Sequence, residues 1–230
     1  MSVPDYNSPV FALWRIHAGE HWREYTGHAF VKGLGDGSLP KASFIHYLIQ
    51  DYVFLVHFSR AWAMAVVKSG SLEEMRTAAG TVDALVNHEM KLHVETCARE
   101  GITEDQLFSA VEARENMAYT RFVMDAGLSG DFLDLMAALA PCVFGYGEIG
   151  KALGKNAVSG TPYQEWIDTY SGTEYQALCD QVGQMLETAA RARLGEEPLN
   201  NPRWSSLCAR FENATRLEVG FWDMALRGTV

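Results

Sequence analysis

The chain has 230 residues, 48% of them hydrophobic, and a formal net charge of −10 from 19 Lys and Arg against 29 Asp and Glu. The hydrophobic share is that of a well-cored globular protein. The acidic balance, with no basic run to offset it, disfavours nucleic acid as a partner, since such binding rests on clustered Lys and Arg.

In chain order, the N-terminus MSVPDYNSPVFALWRIHAG lacks a basic region followed by an apolar one, so no secretory signal is expected. GLGDGS (33–38) has the look of a dinucleotide loop, but no strand precedes it, the spacing is G-x-G-x-G, and no βαβ unit follows. A plain turn before a helix starting near Pro40 is the expectation. In the next segment, Phe44, Leu48, Asp51, Leu55, Phe58 and Trp62 step by four and three and share one helix face, which Asp51 interrupts. Further breaks at KSGS, EGIT, AGLSGD, AVSGTP, YSGT and LGEEPLNNP divide the remainder into helical segments. Ser71–Glu74, Thr103–Gln106 and Thr161–Gln164 fit the capping box. Pro162 and Pro202 follow the cap residues Thr161 and Asn201 at what reads as the first helical position. Near the C-terminus, Trp204, Cys208, Phe211, Thr215, Glu218, Trp222 and Ala225 form a second apolar face, interrupted by Glu218. With no alternating β run, repeat or long linker, the pattern predicts one all-α domain over 1–230, of about seven or eight helices.

The passage LAPCVFGYGEIG (139–150) combines a proline, a cysteine and three glycines, Gly145, Gly147 and Gly150, in an otherwise helical stretch. An interior proline costs about 3 kcal/mol and each glycine about 1 kcal/mol relative to alanine. Two readings stand: a broken helix at a functional site, or a kinked core helix whose small residues allow close packing. The run Leu135 to Tyr146 is the longest nearly unbroken apolar stretch, and it is too short to span a bilayer. Asp and Glu are almost never fully buried unless paired, so Asp51 and Glu218 must either be structural partners or serve chemistry. With Cys142 they supply a nucleophile, an acid/base and a positioning group. Tyr146, four residues after Cys142, shares its face. Cys97, Cys179 and Cys208 read as core residues. The absence of any CxxC spacing argues against a zinc knuckle or redox pair, and a cytoplasmic protein with reduced thiols is expected.

HAGEH and NHEMKLH offer His17, His21, His88, Glu89 and His93 at spacings that can bind metal on helices. All seven histidines, however, lie between positions 17 and 93. A bundle metal site usually draws on several helices across the chain, so no metal is expected and structural roles are the default.

FVKGLGDGSLPKASFIHYLIQDYVFLVHFSRAWA, HEMKLH, AYTRFV, ALAPCVFGYGEIG and LEVGFW, in that order, resemble the TenA family over about residues 9–228. These are the thiaminase II-like aminopyrimidine aminohydrolases, here in the form that carries the cysteine. The resemblance implies a haem-oxygenase-like helical bundle, a homotetramer, and no metal or organic cofactor. It also implies hydrolysis at the bridging carbon of a 4-amino-2-methylpyrimidine, either aminomethylpyrimidine or thiamin itself, to give hydroxymethylpyrimidine. By resemblance Cys142 is the nucleophile, Glu218 the proton donor and acceptor, and Asp51 a pyrimidine-binding residue. Tyr119, Tyr146, Tyr170 and Phe221 match active-site aromatics. Phe54 stands where the family often has a tyrosine near the sulfur, which implies weaker thiolate activation. The alternatives are a metal-dependent oxygenase on the same fold and a non-enzymatic regulator.

Overall fold

The computed structural model describes residues 4–228. Among them are eleven α-helices: α1 (Pro9–Thr26), α2 (Ala29–Asp36), α3 (Lys41–Lys68), α4 (Leu72–Ala84), α5 (Met90–Arg99), α6 (Glu104–Phe108), α7 (Arg114–Ser129), α8 (Phe132–Asn156), α9 (Gln164–Ser171), α10 (Thr173–Leu194) and α11 (Trp204–Arg227). A π-helical turn, Leu85–Glu89, joins α4 to α5, and a 3₁₀ turn, Pro198–Asn200, precedes α11. The predicted all-α class holds. The predicted seven or eight helices fall short because short elements such as α2, α6 and α9 carry too few residues to show a period of their own.

Local hydrogen bonds explain several boundaries. Thr103 forms a full capping box with Gln106. Ser71 caps α4 through the amide of Glu74, but the Glu74 carboxylate accepts from the Gly70 amide rather than from the cap residue. The third predicted box is not formed. The Thr161 hydroxyl donates instead to the carbonyl of Leu34 at 2.8 Å, and α9 begins only at Gln164. Pro202 likewise lies in a turn before α11, where Asn201 Oδ1 accepts from the Arg203 amide at 3.0 Å. In GLGDGS, Gly33 and Gly35 close α2 and Gly37 adopts φ 77° at its C-cap, a left-handed turn that favours glycine.

The chain divides into two compact units, Met1–Leu39 with Met136–Val219, and Pro40–Leu135 with Gly220–Val230. In the first, Phe11, Phe144, Trp22 and Phe211 pack with ring centroids 4.2 to 6.1 Å apart. Beside them Glu148 accepts from Trp22 Nε1 at 3.1 Å and pairs with Arg15 at 3.4 Å. In the second, Gln50 ties α3 to the start of α7. Its amide donates to Val111 O at 2.9 Å and accepts from the Ala113 amide at 2.9 Å, and its backbone carbonyl accepts from Asn116 at 2.7 Å.

Helix α8 goes against one of the two readings of LAPCVFGYGEIG, the broken helix. It runs unbroken through Pro141 and all three glycines. The glycines are places of close approach: a Cβ on Gly145 would lie 2.1 Å from the Tyr25 ring, on Gly147 2.8 Å from Cys179 Sγ, and on Gly150 2.4 Å from the Tyr170 backbone. At 25 residues, with a mean hydropathy of 1.4 over its most apolar window, α8 is also long and apolar enough to cross a membrane. However, 89% of that window is buried within the protein, as for a core helix.

Candidate active site

In the first unit, α8 carries Cys142 and, one turn later, Tyr146. Tyr146 meets Tyr170 of α9 with ring centroids 5.0 Å apart, and Trp166 packs against both, at 5.9 Å from Tyr146 and 4.4 Å from Tyr170. The missing side chain at Gly150 is what lets the backbone at Tyr170 approach α8. Glu218 lies on α11 at 2% exposure, on the apolar face read from the sequence. On that face Cys208, Phe211, Thr215, Trp222 and Ala225 are also buried.

All four cysteines are free thiols. Cys142 is the most accessible at 9% exposure, against 0% for Cys97 and Cys179 and 2% for Cys208. Burial pushes the thiols of Cys97 and Cys208 up to about 11, with help from Glu100 and Glu212 respectively. Those two are therefore protonated and unreactive at neutral pH.

In the second unit, Asp51 is 3% exposed on α3, and Phe44, Leu48, Leu55, Phe58 and Trp62 of the same face are all buried. The aromatics predicted alongside it come together here. Phe54 lies 4.9 Å from Tyr119 of α7 and 5.6 Å from Phe221 of α11, ring centroid to ring centroid, and stacks on Phe58 at 5.1 Å.

Asp51 does not sit alone among these rings. Its Oδ2 accepts from the Tyr47 hydroxyl at 3.0 Å, one turn back on α3, and from His93 Nε2 of α5 at 2.6 Å. His93 is completely buried, and its Nδ1 lies 2.9 Å from the Glu89 carbonyl. Burial works to lower the His93 pKa, but the hydrogen bond and charge of Asp51, with Glu89, outweigh it and hold it above its ordinary value.

Neither Tyr47 nor His93 stood out in the sequence as a site residue. The available signal was HEMKLH, where His88 and His93 differ in a way that local spacing does not reveal: His88 is exposed and His93 buried. The π turn lies just before α5. Met90 N bonds back to Leu85 O, five residues away, and this adds a residue to the turn and rotates α5. Among the described residues, no three His, Cys, Asp or Glu side chains are grouped to hold a metal ion. A cavity of about 500 Å³ in this unit is lined by Tyr52, Val56, Val86, Met90, Val94 and Phe108 among others, none of them a predicted site residue.

A buried carboxylate close to aromatic side chains, as Asp51 is, is an arrangement found in small-molecule sites. The family model described as TENA/THI-4/PQQC matches residues 15–228, and the chain belongs to the TenA family. It is 58% identical to a TenA family transcription regulator from Silicibacter sp. TM1040, whose crystal structure superposes with a TM-score of 0.93 over 95% of this chain and 97% of that one. It is 36% identical to the aminopyrimidine aminohydrolase of Halalkalibacterium halodurans over 89% of both chains. With the aminopyrimidine aminohydrolase of Bacillus subtilis the identity is 31%, over 93% of this chain and 88% of that one.

Proposed function

We propose that the protein is an aminopyrimidine aminohydrolase of thiamin salvage. It replaces the amino group, or the thiazolium of thiamin, on the bridging carbon of a 4-amino-2-methylpyrimidine with water. The observation that carries this reading is the similarity, along nearly the full length of both chains, to two relatives that bear that name. Those names favour hydrolysis over the oxygenase alternative.

In this reading the flat ring is held by stacking against aromatic side chains, and Asp51 accepts from the exocyclic amine. Glu218 protonates a ring nitrogen and makes the ring electrophilic. The Cys142 thiolate adds to the ring, aromaticity is lost, and ammonia leaves the bridging carbon. Water adds to that carbon with loss of a proton, cleavage of the bond to Cys142 Sγ restores the ring, and the ring nitrogen returns its proton to Glu218. Tyr119, Tyr146, Tyr170 and Phe221 line the ring, and Phe54 does so without the hydroxyl of the family's tyrosine. The same reading takes 1–230 as one domain that assembles as a homotetramer in the cytoplasm.

Ammonia release from 4-amino-5-aminomethyl-2-methylpyrimidine tests the reaction, with one hydroxymethylpyrimidine formed per ammonia. Purified protein that releases neither ammonia from this substrate nor the thiazole from thiamin refutes it. Light scattering that reports a stable monomer at micromolar concentration would refute the tetramer alone.

A further inference from the structure

We infer that His93, with Tyr47, is a specificity-determining positioning pair that holds Asp51 as a pure hydrogen-bond acceptor. The site therefore selects pyrimidines with an amine at position 4 and rejects their 4-oxo counterparts. The inference rests on the proposed function for the identity of the ligand, and on geometry for the rest.

A backbone carbonyl can only accept, so the 2.9 Å contact with Glu89 O requires a proton on His93 Nδ1. The 2.6 Å contact of Nε2 with Asp51 Oδ2 then pairs an imidazolium with a carboxylate when both ring nitrogens carry protons. Tyr47 adds a second donor to the same oxygen at 3.0 Å. Oδ2 is thereby filled from two sides, and among the described residues no hydrogen bond reaches Oδ1. A lone buried carboxylate would tend to take up a proton and become a donor. His93 and Tyr47 both face Oδ2 in a site where Asp51 is 3% and His93 0% exposed, and so hold the carboxylate as an acceptor. The remaining oxygen has lone pairs only. It welcomes an N–H and repels a carbonyl oxygen, and a site built around such a bond discriminates strongly against the analogue that lacks it.

The experiment has two parts on the full-length protein. ¹⁵N NMR of histidine-labelled protein at pH 7.5 should show both nitrogens of His93 protonated, with the resonance assigned by its loss in His93→Gln. A neutral ring with one bare nitrogen overturns the inference without reliance on any variant's activity. Calorimetry then compares 4-amino-5-hydroxymethyl-2-methylpyrimidine with its 4-oxo counterpart. The wild type should prefer the amine at least 100-fold, and His93→Gln should cut that preference at least tenfold, raising KM for the aminomethyl substrate more than it lowers kcat. Tyr47→Phe should cut it less, since the cation remains. A wild type that binds the amine while His93→Gln and Tyr47→Phe leave the preference unchanged sinks the inference alone. A wild type that binds neither compound sinks it together with the proposed function.

Discussion

Two stretches depart from ordinary helix in opposite ways. LAPCVFGYGEIG on α8 holds residues that should break a helix, and the helix is unbroken. LVNHE before α5 holds no proline and no glycine, and the helix there widens into a π turn. In α8 the unusual residues serve what lies outside the helix: Tyr25, Cys179 and the Tyr170 backbone each occupy the space where a glycine lacks its Cβ. Before α5 the unusual feature is in the backbone, and on the helix that follows His93 meets Asp51. Helix-breaking composition is thus a poor guide to a broken helix when tertiary packing claims the missing atoms, and regular composition can conceal a change of register.

The sharpest challenge to this account of α8 is Cys142→Ser. It should fold as the wild type does and lose nearly all turnover, because an alcohol at neutral pH is a far weaker nucleophile than a thiolate. Native alkylation should label Cys142 ahead of the three more buried cysteines in the wild type and miss that site in the variant. Retained turnover would remove covalent catalysis and leave α8 a packing element only.

Glu218→Gln should lower turnover by about 10²- to 10⁴-fold, with substrate binding weakened less. A drop of less than about tenfold would make Glu218 a structural residue.

The π turn is tested by deletion of Asn87, an exposed residue within it. Returning the turn to α geometry rotates α5 by about 100° and takes His93 away from Asp51. Breaking a buried pair costs about 3–5 kcal/mol, readable as a lower urea midpoint. Unchanged stability would mean that the register before α5 has no bearing on the pair.

Gly150→Ala should destabilise by about 3 kcal/mol, the upper part of the overpacking range, because the new Cβ meets Tyr170 backbone rather than a side chain that can swing away. A neutral effect would contradict close approach as the reason for that glycine. The smallest effect is expected of Pro141→Ala. It supplies the missing amide and should raise stability by about 1 kcal/mol, since the intact helix has already absorbed part of the roughly 3 kcal/mol an interior proline costs. A loss of stability would show that the proline ring itself is needed in the packing.

What the amino-acid sequence determined by itself is whatever rests on neighbours within a turn or two. The two apolar faces interrupted by Asp51 and Glu218 are real, and both carboxylates are buried. The Thr103–Gln106 box forms because both its partners lie within four residues. The same logic fails at Thr161, whose hydroxyl finds the Leu34 carbonyl, 127 positions away, before it finds its own helix. The contact between His93 and Asp51 was illegible for that reason too: the two are 42 positions apart, and local spacing gave His93 no more than a structural role. Periodicity reports which side of a helix avoids water, because that depends on the helix's own geometry. Which side chain meets which, and hence the use made of a buried charge or an absent Cβ, depends on chain segments brought together only by the tertiary fold.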